Sequence, residues 1–124
     1  MQLKVQHFFD ASHQLPDSEH LITKACARLH GHTYKVIVEV DGLNTRGGMV
    51  VDFKAIKNII DILVHQHVND IIKAEGFNGE ATAENMASFI YHKIIDDLDL
   101  TVVSVAICEG YKGEDKASYA IYQS

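Results

Sequence analysis

The sequence predicts an α+β fold in which a four-stranded antiparallel sheet carries two helices on one face. Polar and apolar residues alternate along four segments, and two central segments repeat apolar residues at helical spacing. In chain order the predicted elements are strands at 2–13 and 30–41, helices at 53–67 and from near 82, and strands at 101–109 and 117–122. The element order is therefore ββααββ, and the length suits a single domain covering residues 1–124.

The first two strands have a strict period of two, so alternate side chains share a face. The mostly apolar face of the first strand carries Leu3, Val5, His7, Phe9, Ala11 and His13. The matching face of the second carries His30, His32, Tyr34, Val36, Val38 and Val40. We expect both faces to lie under the helices, so the histidines at their ends should point inward. The segment between them, 14–29, lacks either period and contains the only proline, which predicts a loop.

The helices are predicted from their caps and their apolar stripes. Asp52 is expected to cap the first helix, because its side chain can accept a hydrogen bond from a free backbone N–H group. The stripe that follows consists of Phe53, Ile56, Ile59, Ile60, Leu63 and Val64. The second helix should bury Met86, Phe89, Ile90, Ile94 and Leu98.

The formal net charge is −6, from 17 Asp and Glu against 11 Lys and Arg. A basic face, which nucleic acids and anionic membranes require, is therefore not expected, and a small-molecule substrate is favoured. No window approaches the roughly 20 apolar residues that span a bilayer. The first residues also lack the apolar stretch of a secretory signal, so we expect a cytoplasmic protein.

Three of the eight histidines are predicted to meet at one end of the sheet. His13 ends the first strand, and His30 and His32 begin the second on the same inward face. If these strands pair antiparallel, the end of one lies beside the start of the other. Neutral imidazole is a good zinc ligand, and three protein ligands with one open position are typical of a catalytic zinc. The spacing therefore predicts a metal site, although a single inward histidine is more often a hydrogen-bonded core residue.

Cys26 lies in the loop just before the second strand and leaves two possibilities open. As a fourth zinc ligand, its thiolate would complete the coordination shell and make the site structural. As an unbound thiol beside a cation, it would lose its proton readily and act as a base or nucleophile.

Several stretches of the chain carry a family resemblance. They are FFDASHQL (8–15), CARLHGHTY (26–34), GMVVDF (48–53), LVHQHVND (63–70), TAEN (82–85) and the strand-end Glu109. This pattern resembles the 6-pyruvoyltetrahydropterin synthase family, and within it the bacterial 6-carboxytetrahydropterin synthases of the queuosine pathway. The resemblance implies a tunnelling fold, in which ββααββ subunits join their sheets into a trimeric β-barrel. Two barrels would stack as a hexamer, with sites at subunit interfaces.

The resemblance also implies roles for individual residues. It makes His13, His30 and His32 the zinc ligands and Cys26 the catalytic thiol. Glu109 would anchor the pterin by accepting two hydrogen bonds, one from the amino group of the ring and one from the adjacent N–H group.

Three further residues are predicted to contact the substrate. Thr82 matches a threonine near the pterin and is equally well explained as a helix N-cap; both roles can hold. Lys24 and Arg28 flank Cys26 and could bind the triphosphate, or they could be ordinary surface charges.

The sequence departs from the family beside the histidine that would exchange protons with the substrate. Family members have Asp-His where this chain has Val64-His65, and valine cannot accept a hydrogen bond from imidazole. Asp61 would lie one helical turn before His65, so we expect Asp61 or a carboxylate of a neighbouring subunit to substitute. A second departure is Gly110, where a threonine is common.

The implied reaction converts 7,8-dihydroneopterin triphosphate to 6-carboxy-5,6,7,8-tetrahydropterin, with release of acetaldehyde and triphosphate. It would make the chain a zinc-dependent lyase. One alternative is the pyruvoyl-forming synthase, which eliminates triphosphate from the same substrate. Another, prompted by Val64, is a homologue that binds zinc and pterin without catalysis. A third is a structural zinc protein with Cys26 as fourth ligand.

Overall fold

The computed structural model describes residues 1–16 and 27–124 of the chain. Its elements are β1 (Gln2–His13), β2 (His30–Asp41), α1 (Phe53–Ile60), α2 (Val68–Ala74), α3 (Ala83–Leu98), β3 (Thr101–Glu109) and β4 (Ala120–Gln123). The four strands form an antiparallel sheet in the order β1-β2-β3-β4. The predicted α+β class is confirmed, and the bounds of the first three strands agree with those read from the alternation.

Three helices are present in this part of the chain, where the sequence predicted two. The first is shorter than predicted, because α1 ends at Ile60 and is followed by a 3₁₀ turn over Asp61–Leu63. Val64 is extended, with ψ 124°, and His65 has a φ of 56°, which no α-helix can accommodate. The apolar period continues through this break, so it could not reveal it.

The inward face of the sheet forms the core with the helices, as the two-residue period predicts. Val5 pairs with Val38 and Phe9 with Tyr34 across β1 and β2, and all four side chains are buried. Burying an aliphatic or aromatic side chain of this size stabilises the fold by about 1.5–3 kcal/mol. The same register brings the last residue of β1 opposite the first residue of β2.

Both predicted helix caps are present. The Asp52 side chain accepts a hydrogen bond from the Lys54 backbone N–H at 2.9 Å. Thr82 Oγ1 accepts one from the Asn85 N–H at 3.1 Å, so α3 begins directly after Thr82. Over the described residues, no helix combines the length and apolar character needed to cross a membrane.

A buried lysine, Lys35, lies on the face of β2 opposite Tyr34 and Val36. Lys35 Nζ lies 2.8 Å from Glu114 Oε2, in a 3₁₀ turn over Glu114–Lys116. The hydroxyl groups of Tyr111 and Tyr119 donate to the same carboxylate at 3.2 and 2.9 Å. This turn ends directly before the segment predicted as the fourth strand, and that strand starts at Ala120 instead of residue 117.

Candidate metal centre and adjoining cavity

Three imidazoles meet at one end of the sheet. His13 and His30 are direct partners in the β1–β2 ladder, and His32 lies two residues further on the same face of β2. One ring nitrogen from each can be chosen so that all three lie within 4.8 Å of one another. The predicted convergence of these three histidines is confirmed.

Two of the rings are oriented by backbone carbonyl groups. His13 Nδ1 lies 2.8 Å from the Ala81 carbonyl oxygen, and His30 Nδ1 lies 2.6 Å from that of Arg28. Because a carbonyl oxygen can only accept, each Nδ1 carries the proton and each Nε2 presents a lone pair. This is the usual arrangement of a metal-binding histidine, in which the second ring nitrogen donates to a fixed acceptor.

The two free nitrogens face each other. His13 Nε2 lies 2.8 Å from His30 Nε2, and His32 completes the third side of the group. Two neutral imidazoles in this arrangement would direct lone pairs at each other, which is unfavourable unless a cation lies beside them. The donor set therefore fits a zinc ion held by three nitrogen ligands.

Burial favours the neutral form of His13 and His32. The His13 side chain is 1% exposed, and burial is the main reason that the pKa of His13 is lowered. Burial likewise lowers the pKa of His32, while the Glu109 carboxylate partly offsets both shifts. Metal ions bind the neutral imidazole, so these shifts reduce competition from protons at neutral pH.

Glu109 stands at the mouth of the candidate metal centre. It is the last residue of β3, and its Oε2 atom lies 3.9 Å from His13 Nε2. Its side chain is 41% exposed, so it can contact a ligand from solvent. Gly110 follows with a φ of 66°, a conformation that favours glycine over a β-branched residue such as threonine, and the chain leaves the sheet there.

Tyr34 lies beneath the histidines and did not stand out in the sequence. Its ring is stacked on Phe9 and lies edge-on to His13 and His32. The hydroxyl group is buried without a hydrogen-bond partner among the described residues, and burial raises the pKa of Tyr34. The sequence did offer one indication that Tyr34 belongs to this site, because it follows His32 by two residues and so lies on the same inward face of β2.

A cavity of about 550 Å³ is lined by one of the three histidines, His32. Its walls include His32, His65, Asp10 and Thr33, so His32 belongs both to the histidine group and to the cavity. The structure therefore brings His65, predicted to exchange protons, into a space next to the candidate metal centre.

The segment containing His65 runs beside the edge of β1. The backbone N–H of His65 donates to the Asp10 carbonyl oxygen at 2.7 Å, and the N–H of Ser12 donates to that of Gln66 at 3.0 Å. His67 then pairs with Ser12 in an isolated parallel bridge, and its Nδ1 lies 3.0 Å from the Ser12 hydroxyl. His67 therefore contacts β1 through both its backbone and its side chain.

Asp61 does not have the relationship to His65 that the sequence suggested. The prediction that Asp61 lies one helical turn before His65 is wrong, because the α-helix has ended at Ile60. Asp61 Oδ1 instead lies 2.6 Å from His7 Nε2, on the first strand. A helical period was assumed across a turn that only long-range contacts determine.

The remaining predicted site residues divide into two groups. Cys26 and Lys24 lie outside the described residues. Arg28 is exposed, and its carbonyl group holds His30. Thr82 caps α3 directly after Ala81, whose carbonyl group holds His13. Arg28 therefore orients His30 through its backbone, and Thr82 follows the residue that orients His13.

Comparison with known proteins identifies similar chains. Residues 2–123 match the family described as 6-pyruvoyl tetrahydropterin synthase. A 6-carboxy-5,6,7,8-tetrahydropterin synthase of Synechocystis is 38% identical over 92 residues, covering 69% of this chain and 68% of the relative. A dihydroneopterin monophosphate aldolase of Pyrococcus furiosus is 31% identical over 108 residues, covering 82% and 83%.

A solved structure shares the fold. The 6-pyruvoyl tetrahydropterin synthase of Caenorhabditis elegans superposes with a TM-score of 0.68, covering 100% of this chain and 95% of that one. The two sequences are 20% identical in this alignment, so the likeness shows a common fold and no more.

Proposed function

Because the chain belongs to the 6-pyruvoyl tetrahydropterin synthase family, we propose that it is a zinc-dependent 6-carboxy-5,6,7,8-tetrahydropterin synthase. The substrate would be 7,8-dihydroneopterin triphosphate, and acetaldehyde and triphosphate would be released. The observation that carries the proposal is the group of three imidazoles, of which His32 also lines a cavity together with His65. The Synechocystis relative supports the choice of product.

His13, His30 and His32 are the proposed zinc ligands. Bound there, zinc would supply a Lewis acid that lowers the pKa of substrate hydroxyl groups and stabilises negative charge on oxygen. The carbonyl groups of Ala81 and Arg28 would hold two of the ligand rings in the binding tautomer.

Glu109 is the proposed pterin anchor. A carboxylate can accept two parallel hydrogen bonds from the amino group and the adjacent ring N–H group of a pterin, which fixes the ring in a plane. Because Glu109 lies 3.9 Å from His13, the anchored ring would hold its side chain beside the histidine group. Thr82 is proposed to contact the substrate in addition to capping α3.

His65 and Cys26 are proposed to move protons. His65 is exposed within the cavity beside His32, where it can accept a proton from carbon or return one. Cys26 is proposed to act as the second acid–base group, and Lys24 and Arg28 to bind the triphosphate. A direct catalytic role for Asp61 would require a change in its contact with His7.

The proposal extends to the state of the protein in the cell. We propose that residues 1–124 form a single domain that acts in the cytoplasm, in the queuosine pathway. The chain would assemble as a trimer or a dimer of trimers.

The test is product analysis on one preparation of zinc-loaded protein. Incubation with 7,8-dihydroneopterin triphosphate should yield 6-carboxytetrahydropterin by mass spectrometry, with one acetaldehyde for each product molecule. Triphosphate without acetaldehyde would instead mean the pyruvoyl-forming reaction, and tight pterin binding without product would mean a binding protein. A third outcome is suggested by the Pyrococcus furiosus relative, a dihydroneopterin monophosphate aldolase. In that case the protein would turn over dihydroneopterin monophosphate in preference to the triphosphate.

Two variants separate the residue roles. Glu109→Gln should keep its zinc and lose most pterin affinity, because an amide cannot accept both hydrogen bonds. Cys26→Ala should also keep its zinc and lose turnover. Loss of zinc from Cys26→Ala would instead support a structural site in which the thiolate is a ligand.

A further inference from the structure

Asp10 and His65 share one cavity but come from different parts of the chain. Asp10 lies in β1, and His65 lies in the segment that follows the 3₁₀ turn. Within the described part of the chain, Asp10 is the only acidic residue that lines this cavity. An acid and an imidazole are therefore placed together without a sequence motif that joins them.

Backbone contacts hold the two residues side by side. The His65 N–H group donates to the Asp10 carbonyl oxygen at 2.7 Å. Two residues further along both segments, Ser12 and His67 pair, and their side chains form a hydrogen bond of 3.0 Å. Both residues also line the same cavity, so the carboxylate and the imidazole share one space beside these backbone contacts.

The Asp10 carboxylate is itself held in place. Thr33, its partner in the β1–β2 ladder, donates its hydroxyl hydrogen to Asp10 Oδ1 at 2.6 Å. A carboxylate has about four acceptor positions, so this contact leaves capacity for an imidazole N–H group.

His65 has an unusual backbone conformation. Its φ of 56° lies in the left-handed region, which few residues other than glycine adopt. Tertiary contacts must support such a conformation, and residues held this way are common at functional sites. The hydrogen bond from the His65 N–H group to the Asp10 carbonyl oxygen is one such contact. It places His65 beside an acidic residue, whereas the residue that precedes His65 in the chain is Val64.

We propose that Asp10 is the positioning residue for His65. Its carboxylate accepts one imidazole N–H group and thereby selects the tautomer whose other nitrogen is free toward the cavity. The effect on turnover rests on the proposed function, but the effect on the tautomer does not. Asp61, by contrast, already contacts His7.

The tautomer can be measured without substrate. In protein labelled with ¹⁵N-histidine, at a pH where imidazole is neutral, the two ring nitrogen shifts report the ratio of tautomers. The His65 signals are assigned by their absence from His65→Gln. In Asp10→Ala we expect this ratio to change by about fivefold, a modest effect for a partly exposed charged hydrogen bond.

Two further variants make the comparison specific. Asp61→Ala should leave the His65 tautomer ratio unchanged, because its carboxylate contacts His7. Thr33→Val keeps the Asp10 charge but frees the carboxylate, so its ratio should lie between wild type and Asp10→Ala. An unchanged ratio in Asp10→Ala, with an otherwise native amide spectrum, overturns the proposal. A change in Asp61→Ala alone overturns it as well.

Turnover separates this proposal from the proposed function. If both hold, Asp10→Ala lowers kcat by at least about tenfold, since general acid–base groups typically contribute 100-fold or more. If wild-type protein shows the tautomer effect but no turnover of the pterin substrate, the contact is real and the proposed function fails. If turnover is normal in wild type and in Asp10→Ala alike, the positioning role fails while the function stands.

Discussion

His13 Nδ1 lies 2.8 Å from the carbonyl oxygen of Ala81, the residue immediately before the cap of α3. This contact ties the end of β1 to the start of a helix some seventy positions later in the chain. It holds the most deeply buried of the three histidines in a defined tautomer and orientation. Loss of a hydrogen bond that orients a metal-binding histidine typically lowers the metal affinity by about 10- to 100-fold.

The Thr82 cap is expected to support that contact. Thr82→Ala should lower the free energy of unfolding by about 1 kcal/mol, because the Asn85 N–H group loses its acceptor. It should also weaken zinc binding, since fraying of the first turn of α3 displaces Ala81. Denaturant titration and competition with a zinc chelator measure the two effects. Thr82→Ser, which keeps the hydroxyl group, should be close to wild type in both. A stability loss in Thr82→Ala with unchanged zinc affinity would show that the helix start does not orient His13.

Zinc removal is expected to destabilise the protein. Without a cation, the Nε2 atoms of His13 and His30 oppose each other at 2.8 Å. A chelator should therefore lower the thermal midpoint, and added zinc should restore it, with a gain of about 2.7 kcal/mol at a free zinc concentration 100 times Kd. His30→Ala should abolish the response. His92→Ala is the matched control, because His92 is an exposed histidine of α3 that contacts Ser88. A full zinc response in His30→Ala would contradict the assignment.

Removal of the Tyr34 hydroxyl group is expected to be neutral or stabilising. The group is buried without a partner among the described residues, so it loses its hydration without an equivalent hydrogen bond. Tyr34→Phe should change the free energy of unfolding by between zero and about +1 kcal/mol. Tyr34→Leu is the comparison, since it also removes the ring stacked on Phe9 and should destabilise the core. A loss of more than 1 kcal/mol in Tyr34→Phe, on the scale of about one hydrogen bond, would mean that the hydroxyl has a partner in solution.

The contact between Lys35 and Glu114 is expected to respond to pH. The hydrogen bond from Lys35 is the main cause that lowers the pKa of Glu114, with the Tyr119 hydroxyl next. A lowered carboxyl pKa adds stability that is fully present above the ordinary value of 4.5 and is lost as the pH falls through the lowered value. The pKa of Lys35 is raised, mainly by the same hydrogen bond, so its contribution persists up to the ordinary value of 10.5.

Comparison with Glu114→Gln tests this window. The difference in unfolding free energy between wild type and Glu114→Gln should be constant between pH 4.5 and 10.5, the two ordinary values. It should shrink as the pH falls below 4.5, because the wild-type carboxylate then becomes protonated. Urea denaturation at several pH values measures it. A difference that grows in acid would mean that the ion pair does not stabilise the fold.

Much of the histidine group could be predicted from local patterns. The two-residue period places His13, His30 and His32 on inward faces, and antiparallel pairing brings the strand ends together. The caps Asp52 and Thr82 could also be predicted, because a capping side chain bonds to a backbone N–H group two or three residues away. These features depend on short stretches of chain, which a sequence shows directly.

Two failures of prediction share one cause. The break after Ile60 was missed, because Leu63 and Val64 continue the apolar period while the chain leaves the helix. The assumed relation between Asp61 and His65 failed with it. Both errors treat a local period as if it extended through a turn whose conformation is determined by contacts with β1.

The sequence by itself determined the α+β class, the order of the four strands and the meeting of three imidazoles, because the two-residue period of a strand places alternate side chains on one face. Only the tertiary structure decided which distant partner each of several polar groups has. It gave His13 a carbonyl group at a helix start, Asp61 a histidine on the first strand, and His65 a place beside Asp10. Such pairings join residues more than fifty positions apart, and many acids and histidines compete for them. The packing of the whole chain selects among them.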